Sequence, residues 1–158
     1  MTYWTTMDSP VGGLRLASDG RGLIGLSMEP WTGVSAPAGE PGVDAVLDQA
    51  VDELTAYFDG RRQAFTIPRS PIGTAFQRTV WDALVQVPYG ETVSYGELAR
   101  RIGRPTAVRA VARANATNPI GIVVPCHRVI GSNGTLTGYA GGLDRKHWLL
   151  AHEGVLVA

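Results

Sequence analysis

Apolar and polar positions alternate in two registers along this chain. Tyr3 to Met7, Gly13 to Ala17 and Leu23 to Met28 are short strand-like runs, joined by the turn signals Ser9-Pro10-Val11-Gly12-Gly13 and Asp19-Gly20. From Glu29 to Gly42 the composition shifts to Pro, Gly, Ala and Ser, which predicts a patternless loop. The period then changes to 3.6. Val43, Val46, Leu47, Ala50, Val51, Leu54 and Phe58 follow i, i+3, i+4, i+7 spacing, with Asp44 as the cap and Gly60 as the stop.

Pro68 and Pro71 bracket a polar linker over Ile67 to Gly73, placing a domain boundary near residue 70. Beyond it Thr74 and Gln77 form a capping box for a helix bearing Phe76, Val80, Leu84 and Val85, stopped before Pro88. Ser94 and Glu97 form a second box, opening a short helix through Leu98, Ala99 and Ile102 that closes at Gly103. The next helix runs from Thr106 to about Ala116, and two short helices about a Gly turn are the pattern of a helix-turn-helix. An apolar run, Ile120 to Val124, leads into Pro125-Cys126-His127-Arg128-Val129-Ile130. A Gly-rich loop follows, then a last helix from Asp144 to about His152. The expected fold class is α+β: a small N-terminal sheet-plus-helix domain over 1–70, then a mainly helical domain with a helix-turn-helix over 71–158.

Composition changes this picture in one respect. The 158 residues carry 14 basic and 14 acidic groups, and zero net charge argues against nucleic acid if the charges are evenly spread. They are not. Leu98 to Leu143 contains no Asp or Glu but six arginines (100, 101, 104, 109, 113 and 128), whereas residues 1 to 97 hold twelve acids against six arginines. The neutral total is a cancellation between regions. Hydrophobic residues at 44% imply a folded core, no apolar run approaches a membrane span, and the N-terminus lacks a signal-peptide layout. Cytoplasmic residence without membrane attachment is expected. Cys126 is the only cysteine, which excludes internal disulfides and thiolate-rich metal cages.

Two segments offer chemistry. The Thr106–Ala116 helix presents Arg109, Arg113 and Asn115 among alanines that include Ala110, a slim surface suited to phosphate and shape contact with little base readout; a plain packing helix with solvated arginines is the competing reading. In Pro125-Cys126-His127-Arg128, a thiol beside an imidazole and a guanidinium could become a nucleophile, as in a thiol hydrolase, or could be a small buried hydrophobe.

Pro125-Cys126-His127-Arg128-Val129-Ile130, with Asn118-Pro119 before it and Gly138-Tyr139-Ala140-Gly141-Gly142-Leu143 and Trp148-Leu149-Leu150-Ala151-His152-Glu153-Gly154 after it, closely resembles the O6-alkylguanine-DNA alkyltransferase family. Phe76 to Trp81, Val87 to Gly90 and Ser94 to Ala99 also look like that family, so the likeness runs from 74 to 154. The first domain resembles it more loosely, through Ser9-Pro10, Gly12 and the Asp44 to Phe58 helix.

The resemblance implies single-turnover repair: an O6-alkylguanine, chiefly O6-methylguanine, is rotated out of duplex DNA and its alkyl group passes irreversibly to Cys126. It implies His127 as the base acting through a water, Glu153 behind the imidazole, Tyr95 as proton donor to the guanine, and Asn118 as a hinge between recognition helix and active-site strand. Arg109 would fill the vacated stack, with Thr106, Ala110, Arg113 and Asn115 in the minor-groove surface. Tyr95, Val124, Val129, Tyr139 and Ala140 would line the base pocket, and Trp148 reads as core. No cofactor is implied. The zinc of some relatives needs cysteines absent here, so no metal is expected, and His147 and His152 read as solvated or packing residues. Ala140 replaces a hydroxyl residue common in relatives, and Arg113 replaces a small one. A monomer is expected, with cooperative binding along DNA left open. The rival functions are a noncatalytic lesion binder, a thiol hydrolase and a helix-turn-helix regulator.

Overall fold

The structure, a computed structural model, describes residues 1–32 and 36–156. The chain divides into two compact units, Met1–Ile72 and Gly73–Ala158.

In the first unit β1 (Tyr3–Met7), β2 (Leu14–Ser18) and β3 (Leu23–Met28) form an antiparallel meander. Leu14, Leu16 and Leu26 fall on the buried face, as the pleat requires of a sheet covered on one side, and the register shift that sets Leu23 opposite Ser18 lets Leu23 be buried as well. The β1–β2 turn is held by Ser9, whose Oγ accepts from the Val11 amide at 3.1 Å and donates to the Gly12 carbonyl at 2.6 Å. The patternless Glu29–Gly42 segment contains an element the sequence conceals: β4 (Glu40–Pro41) pairs parallel to β1, giving the order β3-β2-β1-β4. Residues 33–35 of that segment lie outside the described residues.

The covering helix is α1 (Ala45–Phe58). Its cap Asp44 accepts from the Leu47 amide at 2.8 Å and from the Ser18 hydroxyl at 2.7 Å, so one carboxylate satisfies an orphan helix donor and ties the helix to β2. Val46, Leu47, Ala50, Leu54 and Tyr57 are buried, while Val43, counted in the apolar pattern, lies before the cap and is exposed. Past the helix, the linker is tied down: Leu23 donates to the Pro68 carbonyl and accepts from the Ser70 amide.

The second unit is mainly helical. Thr74 and Gln77 form the reciprocal capping box of α2 (Ala75–Val85), and the Trp81 indole donates to the Ala114 carbonyl at 2.8 Å, fastening α2 to α4 (Val108–Ala116). Gly73 is required there, because a Cβ would overlap the Trp81 ring. Ser94 caps α3 (Tyr95–Arg101) by accepting from the Glu97 amide, but only half of the expected box forms, since the Glu97 carboxylate engages Arg100 and Arg101. Gly103, at φ 74°, makes the left-handed turn between α3 and α4. β5 (Val93–Ser94) pairs parallel with β6 (Val129–Ile130), and α5 (Leu143–His152) closes the unit. The fold is α+β. Among the described residues no helix is long and apolar enough to cross a membrane.

Candidate functional site

The site begins where the apolar run ends. Ile120 to Val124, four apolar residues and Gly121, form tight turns and not a strand: the Val124 amide returns to the Ile120 carbonyl and the Cys126 amide to the Val124 carbonyl. Ile122 takes φ 67°, a left-handed conformation costly for a β-branched residue. Asn118 holds the turns together, accepting from the Ile120 amide at 3.0 Å and donating to the Val124 carbonyl at 2.8 Å. The expected active-site strand is therefore replaced by a one-turn 3-10 helix, Cys126–Arg128, ahead of β6. The expected hinge residue Asn118 is the brace of that turn.

This helix buries three functional groups together. Cys126 is 7% exposed, and His127 and Glu153 are more deeply enclosed. The Glu153 carboxylate, at the end of α5, lies 2.8 Å from His127 Nε2 and receives two bonds from Arg128, Nε at 2.8 Å and Nη2 at 3.0 Å. Arg128 also donates to the Val87 carbonyl at 2.7 Å.

The charge states follow. Burial alone would raise the Glu153 pKa, but hydrogen bonds and charge from His127 and Arg128 outweigh it and hold the carboxyl at about 2. Burial pushes the His127 imidazole below its ordinary 6.5 against the pull of Glu153, leaving it neutral. An ionised carboxylate can only accept, so Nε2 carries the hydrogen and Nδ1 keeps its lone pair. Nδ1 is buried without a hydrogen-bond partner in the protein. The Cys126 thiol is pushed up by burial, opposed by its hydrogen bond with Asn118 and by the Lys146 ammonium. The resting pair is thus a neutral thiol beside a neutral base.

Around it, Val124 and Val129 are buried, Tyr139 is half-buried with its phenol pKa raised well above its ordinary value, chiefly by burial, and Ala140 is exposed. Tyr95, first residue of α3, lies 2.8 Å from the Thr137 hydroxyl. On α4, Arg109 and Arg113 are exposed, Ala110 is half-buried, and Thr106 is exposed in the turn ahead of the helix, which begins two residues later than expected. Arg109 and Arg113, four residues apart, share a face. Asn115 corrects the sequence reading: it is 5% exposed, on the core side of α4 beside Ala114 and one turn from Val111. A cavity of about 320 Å³ between α2 and α4 is lined by Phe76, Gln77, Ala110, Arg113 and Thr117 among others.

The structure also reduces the basic window. Arg100 and Arg101 pair with Glu97, just outside it, and Arg128 is neutralised by Glu153. Arg104, Arg109 and Arg113 remain without an ion pair among the described residues.

Lys146 went unnoticed in the sequence. It is fully buried, and its Nζ donates to the Val129 carbonyl at 2.6 Å and the Thr137 carbonyl at 3.0 Å; burial lowers its pKa to about 8. One signal was available, since it is the only lysine beside 13 arginines. Among the described residues no cluster of His, Cys, Asp or Glu could hold a metal ion.

Residues 75–155 match the family described as 6-O-methylguanine DNA methyltransferase, DNA binding domain, and residues 2–71 match its ribonuclease-like domain. A Methanosarcina acetivorans protein named "Methylated-DNA--protein-cysteine methyltransferase" is 47% identical over 96% of this chain and 98% of its own length. The Mycobacterium tuberculosis protein of the same name is 49% identical over 97% and 93%. The crystal structure of Mycobacterium tuberculosis OGT in complex with DNA superposes with a TM-score of 0.89 at 50% identity, covering 96% of this chain and 92% of that one.

Proposed function

Since the chain belongs to the 6-O-methylguanine DNA methyltransferase family, we propose that it is a methylated-DNA–protein-cysteine methyltransferase, which repairs DNA by moving an alkyl group from O6 of guanine to Cys126. The observation that carries this reading is the neutral His127, fixed by Glu153 through Nε2 and keeping a buried Nδ1 without a protein partner, in the same one-turn helix as the buried Cys126 thiol.

The chemistry is a direct displacement. As His127 takes the thiol proton through a water, Sγ attacks the alkyl carbon, the carbon–O6 bond breaks, and its electron pair moves into the purine. Tyr95 supplies the proton that neutralises the leaving guanine. Glu153, an ionised carboxylate bonded to both His127 and Arg128, stabilises the imidazolium that forms. The product is a thioether on Cys126. No step given above breaks the carbon–sulfur bond of a thioether, so each molecule acts once, and a direct displacement requires no metal or organic cofactor.

A base inside the duplex cannot reach a buried thiol, so the nucleotide must be extruded. We assign Arg109 to the vacated stack, with Thr106, Ala110 and Arg113 facing the minor groove; Asn115 supports α4 from the core side. Tyr95, Val124, Val129, Tyr139 and Ala140 form the base pocket, and Asn118 braces the cysteine turn. The protein works as a monomer in the cytoplasm, with residues 71–158 carrying DNA binding and transfer and residues 1–70 a separate domain.

Incubation with duplex DNA containing O6-methylguanine, followed by intact-mass measurement, tests this reading. A gain of one methyl group, absent in Cys126→Ser, is expected. Binding without mass change would identify a noncatalytic lesion binder, and repeated turnover a hydrolase.

A further inference from the structure

We propose that Thr137 is a positioning residue for the alkyl-transfer step, its hydroxyl donating to the Tyr95 phenol oxygen so that the phenol hydrogen is aimed at the extruded base. The inference rests on the transfer chemistry given above.

The Tyr95 and Thr137 hydroxyls lie 2.8 Å apart, and each has one hydrogen and lone pairs, so the bond can run either way. If the phenol donates to Thr137, its hydrogen points away from an arriving base. If Thr137 donates, the phenol hydrogen is free. Once the purine occupies the site, its ring nitrogen competes for the phenol hydrogen and the second arrangement prevails.

Thr137 is well placed to hold that arrangement. Its carbonyl accepts from Lys146 Nζ at 3.0 Å, and the same ammonium donates to the Val129 carbonyl at 2.6 Å. Val129 follows the Cys126–Arg128 turn directly and pairs with Val93 across the β5–β6 ladder, two residues from Tyr95. Tyr95 and Cys126 are therefore linked twice, through the ladder and through the Thr137–Lys146 bridge. Threonine, branched at Cβ, has few χ1 states in which to misplace its hydroxyl.

The bond strengthens during reaction. As guanine leaves, the phenol gives up its hydrogen and its oxygen gains negative charge, so a neutral hydrogen bond from Thr137 becomes charge-assisted. An interaction stronger in the transition state than in the ground state raises the rate and leaves binding alone.

The test is single-turnover methyl transfer from duplex O6-methylguanine DNA, resolved into a limiting rate and a half-saturating DNA concentration, for the parent, Thr137→Val, Thr137→Ser, Tyr95→Phe and the Tyr95→Phe/Thr137→Val double variant. Thr137→Val should lower the limiting rate about tenfold, the share of one charge-assisted hydrogen bond, and leave half-saturation nearly unchanged. Thr137→Ser should restore the rate. In the Tyr95→Phe background, Thr137→Val should have no further effect, an outcome that general misfolding cannot produce. A parent-like rate for Thr137→Val, a loss confined to half-saturation, or a loss that persists without the phenol overturns the proposal. A parent that gains no methyl overturns the transfer reading and this inference together, whereas a parent that reacts normally while Thr137→Val matches it overturns this inference alone.

Discussion

His127 and Glu153 are joined by a 2.8 Å bond from Nε2 to the carboxylate, and Arg128 meets the same carboxylate with two further bonds, so both partners hold it ionised. An imidazole that is neutral at rest can act as a base; an imidazolium cannot. Burial, with the Arg128 and Lys146 charges adding to it, outweighs the pull of Glu153 and leaves His127 ready to take a proton.

The first expectation concerns pH. The Glu153 pKa is lowered from 4.5 to about 2, so the stability it contributes is complete above pH 4.5 and is lost as pH falls toward 2, about 3 kcal/mol in all. The His127 pKa is also lowered, so the unfolded chain takes up a proton below 6.5 that the folded one resists, and stability falls there too. Thermal unfolding from pH 7, below the Lys146 transition, down to pH 3 should show a midpoint that drops below 6.5 and drops faster below 4.5. Methyl transfer should persist through pH 6.5, because the folded imidazole is still neutral there.

Glu153→Gln should destabilise the protein by about 3–5 kcal/mol, since it leaves the Arg128 guanidinium buried without a counter-charge. Denaturant unfolding measures the loss. A change under 1 kcal/mol would mean that Arg128 finds water or another acceptor, contrary to its enclosure between Glu153 and the Val87 carbonyl.

Arg109→Ala should slow transfer on duplex DNA by about tenfold or more, because unstacking a base costs a few kcal/mol that a side chain in the gap offsets. Transfer from the free O6-methylguanine base should be unchanged, and sequence preference should shift little. Equal rates for parent and variant on duplex would remove Arg109 from the stacking role.

Salt dependence follows from the charge count. With Arg104, Arg109 and Arg113 as the arginines of the basic window that lack an ion pair, the slope of log affinity against log salt should be about −3, not the steeper value that six arginines would give. Arg113→Ala should reduce the slope by about 1 if it meets a phosphate. Binding titrations between 50 and 300 mM salt, a range on the order of that used for such slopes, measure both.

Much of this was legible in the sequence because it rests on local rules. The α1 periodicity, the Asp44 and Thr74 caps and the adjacency of Cys126 and His127 need no tertiary information. What stayed hidden depends on partners distant in sequence. β4 is two exposed residues paired only through their backbone to β1, so no side-chain pattern announces it. Ile120 to Val124 reads as a strand because four of its five residues carry apolar side chains, yet Asn118 supplies the bonds that curl it into turns. A regional charge sum cannot show that Arg100, Arg101 and Arg128 are neutralised by carboxylates just outside the window. Asn115 was legible and misread: four residues after Val111 and next to Ala114, helical geometry alone puts it on the buried side. Lys146 marks the one place where the chain departs from arginine, and a compact ammonium between two carbonyls explains why.

The burial of Cys126 bears on how long an unused molecule survives. A protein that reacts once is wasted whenever peroxide or a stray small electrophile reaches its sulfur first. Thiolates, not thiols, are consumed by such reagents. Enclosed, and with its pKa pushed above the usual 9, the Cys126 sulfur stays protonated and shielded in the idle protein. Its reactivity is released only when a base fills the site and the neighbouring imidazole can take the proton, so the same enclosure that slows the free thiol keeps it in reserve for a lesion.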